Sequence, residues 1–136
     1  MNPTYLFPHA RLLIFAKAPV PGRVKTRLAQ QLGMCGAARL YKHLLWRTLR
    51  IANAARLCPV ELWCAPDARH GFFVACRRDY AVRLRRQCTG DLGARMDHAL
   101  NRILTGGHHA VLIGGDCVSL GAAELRAAFD LLAAGQ

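Results

Sequence analysis

"LLIFAKAPVPGRVKTRLAQQLG", Leu12 to Gly33, sets the reading of the whole chain. It opens as an unbroken apolar run, the pattern of a strand buried on both faces. Pro19, Pro21 and Gly22 then end the strand and stiffen the turn. Past them Arg23, Lys25 and Arg27 recur at every second position, with Lys17 just before the turn. Cations displayed where a buried strand gives way to a helix suit an anionic ligand, because helix N-terminal amides and Lys or Arg side chains together bind phosphates. A structural turn with a solvated basic rim is the plainer alternative.

Working outward, residues 11–16 read as the strand and 36–56, "GAARLYKHLLWRTLRIANAAR", as an amphipathic helix. Its apolar positions Leu40, Leu44, Leu45, Thr48, Ile51, Ala52 and Ala55 keep helical rhythm. Residues 59–65, "PVELWCA", form a second strand, and "PDARHGFFVACRR" a loop and a short helix. "YAVRLRRQ" alternates, Val82 and Leu84 inward and Arg83 and Arg85 outward, as a short strand at an exposed position. "TGDLG" is a turn, "ARMDHALNRIL" a helix, "AVLIGGD" an apolar strand and "AAELRAAFDLLAAG" a closing helix. The order β-α-β-α-β-α-β-α predicts a single α/β domain over 1–136, a Rossmann-like three-layer α/β/α sandwich with a mostly parallel sheet. Ligands of such sheets gather beyond the C-terminal ends of the strands. Three unusual motifs fall there: the basic loop, "GDLGARM" (Gly90 to Met96) and "VLIGGDCVSL" (Val111 to Leu120).

The basic loop is not a Walker A turn, since Val24 precedes Lys25 and no Gly stands at 19 or 20; nor is it GxGxxG. In "GDLGARM", Gly90 and Gly93 permit close backbone approach or unusual φ, while Asp91 suits the N-cap of the next helix. In "VLIGGDCVSL", Asp116 follows a buried strand beside Gly114 and Gly115, a place for a carboxylate that binds Mg²⁺ or Mn²⁺. Its structural alternative is a cap on the next turn.

Bulk composition decides less. The net charge is +11, from 16 Arg and 3 Lys against 8 acidic residues. Such a balance is compatible with nucleic acid, phosphates or an acidic membrane, yet Arg39, Arg47, Arg50 and Arg56 fit a solvated helix face equally well. Trp46 and Trp63 fall in helix and strand patterns rather than among basic residues, which counts against a single-strand nucleic-acid platform. The cysteines, Cys35, Cys58, Cys64, Cys76, Cys88 and Cys117, show no CxxC spacing and read mostly as small buried residues. No signal peptide or membrane span is legible, so a cytoplasmic protein is expected. His98, His108 and His109 form no legible catalytic arrangement with Ser and Asp.

Together the three motifs resemble the bacterial glycosyltransferase-like family of GT-A fold called radical-SAM/selenodomain-associated transferase or arsenosugar biosynthesis glycosyltransferase. The likeness runs from Arg11 to about Ala134; the third motif departs from it at Val118, where the family has Pro. The resemblance implies a nucleotide-diphospho-sugar transferase sheet, related to the nucleotidyltransferases of molybdopterin and deazaflavin cofactors. It implies that Lys17, Arg23, Lys25 and Arg27 hold nucleotide phosphates, that Gly90, Asp91 and Gly93 lie near base or ribose, and that Asp116 binds the divalent cation. The implied partners are a nucleotide-diphospho-sugar and a small-molecule acceptor. Family members run well past the metal carboxylate, so the resemblance also implies a fold incomplete at the C-terminus. An edge strand left open in this way invites a homodimer. The rival readings are a nucleotidyltransferase that uses an NTP, a catalytically inactive fragment, and a basic nucleic-acid-binding module.

Overall fold

The structure, a computed structural model, describes residues 4–24, 29–115 and 121–133. Strand β1 (Ala10–Lys17) is buried along most of its length because it has a parallel neighbour on each side. It is followed by α1 (Ala29–Ala55), β2 (Val60–Ala65), α2 (Gly71–Asp79), β3 (Val82–Arg86), α3 (Leu92–Thr105), β4 (His109–Gly114) and α4 (Ala122–Ala133). The sheet order is β3-β2-β1-β4, and every pair is parallel. This is the Rossmann-like α/β sheet that the sequence pattern predicts.

The order explains the layers. The chain steps from β1 to β2 to β3 in one direction and then crosses back to the far side of β1. Right-handed crossovers therefore put α1 and α2 on one face and α3 on the other. The packing agrees. Leu12, Ile14, Leu62 and Cys64 meet Leu45 and Leu49 of α1, Phe73 of α2, and Leu125 and Phe129 of α4. On the opposite face Leu13, Phe15 and Trp63 pack against Ala99 and Ile103 of α3. Alternate residues of one strand thus feed two cores, as the pleat requires.

The second face also holds a buried charge. Glu61, 4% exposed, accepts from Arg85 Nε at 2.9 Å and from Trp63 Nε1 at 3.1 Å. The Arg85 guanidinium lies 5.7 Å from the Trp63 ring centre. Its aliphatic stem and charged head thus lie along the same sheet face as Trp63. Arg83 faces outward on the edge strand β3.

The bounds of α1 differ most from the expectation, while α3 starts at Leu92, inside the expected turn over 89–93. Helix α1 begins at Ala29, not at residue 36, but Gly33 (φ 74°, ψ 164°) interrupts it. The long, regular part therefore starts just after that glycine, and the apolar rhythm becomes continuous only there. Arg56, expected as the last helical residue, leaves the helix with φ 51°. The backbone reverses there in the left-handed conformation common just past helix ends. The rhythm of α1 also understated its buried face: Ala37, Ala38, Tyr41 and Leu49 are buried with Leu45, Thr48 and Ala52.

Candidate functional site

The C-terminal ends of β1, β2 and β3 open onto one cleft of about 670 Å³. Its basic rim carries Lys17, Arg23, Arg86 and Arg95. Val20 and Pro66 supply apolar wall, and Gln87, Thr89 and Gly90 supply polar atoms and backbone. No carboxylate lines the cleft among the described residues. Lys17, Arg23, Arg86 and Arg95 form no ion pair with any described acidic residue. Four uncompensated cations around one concavity raise its affinity for anions.

Local chemistry holds the first loop in place. The Lys17 backbone N–H donates to the Tyr41 hydroxyl at 2.7 Å, and Ala18 N–H to the Ala65 carbonyl at 2.8 Å. Arg23 N–H then closes a turn on the Val20 carbonyl at 2.9 Å. Gly22 takes φ 85°, which the turn requires and an L side chain rarely adopts. A side chain there would also press on Met34 Sδ at 3.1 Å. Val24 and Pro19 are buried, so the loop is anchored by its apolar residues while Lys17 and Arg23 stay exposed. The Pro-Val-Pro-Gly run thus projects its charges from a fixed base.

The second loop joins β3 to α3. Gln87 N–H donates to the Cys64 carbonyl at 2.9 Å, tying the loop to the end of β2. Gly90 has φ 121°, and a Cβ there would meet Ala94 Cβ at 3.3 Å, so the turn into α3 needs glycine. Asp91 caps α3: its Oδ1 accepts from Ala94 N–H at 2.8 Å. Gly93 lies in the first helical turn, with ordinary room for a Cβ.

Of the residues singled out from sequence, Lys17, Arg23 and Gly90 therefore come together around the cleft. Asp91 takes the capping alternative, and neither it nor Gly93 is among the cleft's lining residues. Lys25, Arg27 and Asp116 lie outside the described residues, as does Cys117. Sequence reasoning missed Arg86, Gln87 and Arg95. Arg86 and Gln87 fall at the end of the "YAVRLRRQ" strand and Arg95 at the start of the "ARMDHALNRIL" helix, and nothing in either pattern sets them apart. A glutamine ending a strand and followed within eight positions by an arginine carries no pattern specific enough to single out. Among the described residues no three His, Cys, Asp or Glu side chains converge as a metal cluster, so the expected Mg²⁺ or Mn²⁺ rests on Asp116 alone.

The cysteines follow burial. Burial pushes the thiols of Cys58, Cys64 and Cys76 up to about 12 from 9.0. Cys35 is exposed, and Cys88 sits half-buried on the cleft wall. No described helix is long and apolar enough to cross a membrane.

The fold and this cleft define an open, parallel α/β protein that presents a basic cavity at the C-terminal edge of its sheet, beside the strand where the order reverses. Comparison narrows the class. The chain belongs to the family described as "Uncharacterized protein conserved in bacteria (DUF2064)", which matches residues 48–136. It is also similar to a solved structure from Desulfovibrio desulfuricans G20, described as a "putative nucleotide-diphospho-sugar transferase". The two share 26% identity and a TM-score of 0.78, over 91% of this chain and 54% of that one. The chain thus spans about half the length of that relative. No curated protein matches it.

Proposed function

We propose that this chain carries the donor-binding part of a glycosyltransferase that uses a nucleotide-diphospho-sugar. One observation carries the reading: Lys17, Arg23, Arg86 and Arg95 surround a cleft at the C-terminal edge of the sheet with no described carboxylate to neutralise them. The likeness to the Desulfovibrio protein supports the choice of anion. A diphosphate presents several oxygens and two or more negative charges in a small volume, which several fixed cations match better than a monoanion does.

Binding and leaving-group stabilisation follow from the same groups. In the proposed transfer an acceptor hydroxyl gives its proton to a general base and forms a bond to the sugar C1. The bond from C1 to the diphosphate oxygen breaks, and its electron pair leaves on the nucleoside diphosphate. Charge grows on that leaving group, so cations placed beforehand stabilise the transition state more than the bound donor. The walls formed by Val20 and Pro66 keep part of the cleft apolar, which strengthens those interactions. Lys25 and Arg27 extend the basic set in this reading. Asp116 is the proposed holder of Mg²⁺ or Mn²⁺, which would offset diphosphate charge when bound. No step above depends on it.

Calorimetric titration of UDP, GDP, ADP and inorganic pyrophosphate, each with and without Mn²⁺, tests the reading. At least one nucleoside diphosphate is expected to bind. Lys17→Ala and Arg23→Ala are each expected to weaken that binding by about tenfold, the worth of a charge-assisted hydrogen bond. Failure of every nucleotide to bind a folded sample overturns the reading. Release of pyrophosphate from an NTP would replace glycosyl transfer with nucleotidyl transfer at the same cleft.

A further inference from the structure

Gln87 lies just past the end of β3 and is 4% exposed. Its Nε2 donates to two main-chain carbonyls, Trp63 at 2.8 Å on β2 and Ala16 at 3.2 Å on β1. Both amide protons are therefore spent inside the sheet. The Oε1 atom must face the other way, and there it accepts from Arg95 Nη1 at 2.7 Å. The reversed amide would set an oxygen against two carbonyls and an NH₂ against a guanidinium, so the chemistry allows one orientation. Arg95 has a second support, with Nε 3.4 Å from the Asp91 carbonyl. Its remaining N–H groups stay available on the cleft wall.

The helix dipole does not call for a cation here. Arg95 is in the first turn of α3, where the helix dipole disfavours a cation. The acidic residue at that end is the N-cap Asp91, whose Oδ1 accepts from the Ala94 N–H, and no described carboxylate pairs with Arg95. A buried amide bridging two central strands is thus used to fix a cation beside three others, at a helix end that repels it. Such a device is understandable if the missing negative charge comes from a ligand.

We propose that Arg95 contacts the diphosphate directly and that Gln87 is the positioning residue that aims it. The proposal rests on the reading of the cleft as a diphosphate site. It assigns the ligand-facing role in "GDLGARM" to Arg95 rather than to Asp91, whose carboxylate caps the helix. The planar guanidinium, held at Nε and at one Nη1 proton, offers its remaining Nη1 and Nη2 N–H groups to phosphoryl oxygens, a match that lysine does not reproduce.

The test is titration of inorganic pyrophosphate, and of the nucleoside diphosphate that binds best, into the intact chain and its variants. Arg95→Ala is expected to lower both affinities by about tenfold or more, and Arg95→Lys to recover only part of the loss. Gln87→Met, which keeps the length but not the amide, should weaken binding several-fold in the parent. In the Arg95→Ala background it should change affinity no further, because its effect runs through Arg95. Should Gln87→Met lose its fold, Gln87→Asn, which shortens the same amide, takes its place. Unchanged affinity in Arg95→Ala, in a parent that binds, overturns this inference and leaves the diphosphate site standing. Losses that simply add in the double variant overturn the positioning role of Gln87, because a residue acting only on stability is indifferent to Arg95. A parent that binds neither pyrophosphate nor any nucleoside diphosphate overturns both.

Discussion

Glu61 is the residue whose presence is hardest to read from its neighbours. It interrupts an apolar strand, yet it is buried and bonded to Arg85 and Trp63. Removing Arg85 strands a carboxylate in the core. Arg85→Ala is therefore expected to cost about 3 kcal/mol in urea denaturation, with Glu61→Gln in the same chain recovering part of it. The thiols give a second prediction at this scale. Cys58, Cys64 and Cys76 ionise near 9.0 when exposed but only near 12 when buried, because burial penalises the thiolate. The unfolded chain thus loses those protons first. Their contribution to stability is complete below pH 9.0 and is lost as pH rises towards about 12. Alkylation at mildly alkaline pH should accordingly label Cys35 and Cys88 quickly and the three buried thiols only after denaturation; rapid labelling of Cys76 in the folded chain would contradict that burial. The sequence pattern suggested small buried cysteines in general, but which ones are buried depends on strands and helices far apart along the chain.

At the scale of elements, the strands and helices were legible because each has its own periodicity. β1 and β2 read as short apolar runs, and α3 as a helix with Asp91 suited to its N-cap. The junction after β4 was less legible. Gly115 looked like space beside a carboxylate. In the structure its N–H donates to the Phe15 carbonyl at 3.0 Å, and its own carbonyl accepts from Thr48 Oγ1 at 2.7 Å. An added Cβ would lie 2.5 Å from Leu45 Cδ1 and 3.2 Å from the Phe15 carbonyl oxygen. The glycine is therefore a packing requirement between β1, β4 and α1. Gly115→Ala is expected to destabilise the fold by about 2 kcal/mol, as overpacking does, and the shift in thermal midpoint measures it. The two edge strands contrast in the same way. β3 exposes Arg83 and Arg86, charges that discourage further pairing, whereas β4, "HAVLIG", contains neither Lys, Arg nor a carboxylate.

Across the whole molecule, the parallel run β1-β2-β3 sets the C-terminal ends of these strands side by side, which gathers the loops after β1 and β3 at one edge of the sheet. Residues more than sixty positions apart, such as Arg23 and Arg95, then share one cleft. If the cleft acts through the sum of its cations, binding of a nucleoside diphosphate should weaken as salt is raised. Arg23→Ala should flatten that dependence, since one screened interaction is gone. Titrations at several ionic strengths check this, and a salt-insensitive affinity would argue for recognition through the base or sugar instead. The similarity in fold to the Desulfovibrio protein fits this parallel arrangement.

By itself the sequence determined the alternation of strands and helices, the parallel sheet, and the stiff basic loop after the first strand. Those features are local, set by hydrophobic period, proline and glycine. The tertiary structure alone decided which cations converge, that Asp91 stays out of the cleft lining, and that a buried glutamine bonds to Arg95. The reason is physical: a side chain's role at the cleft depends on strand order and on hydrogen bonds between distant elements. Neither leaves a periodic trace along the chain.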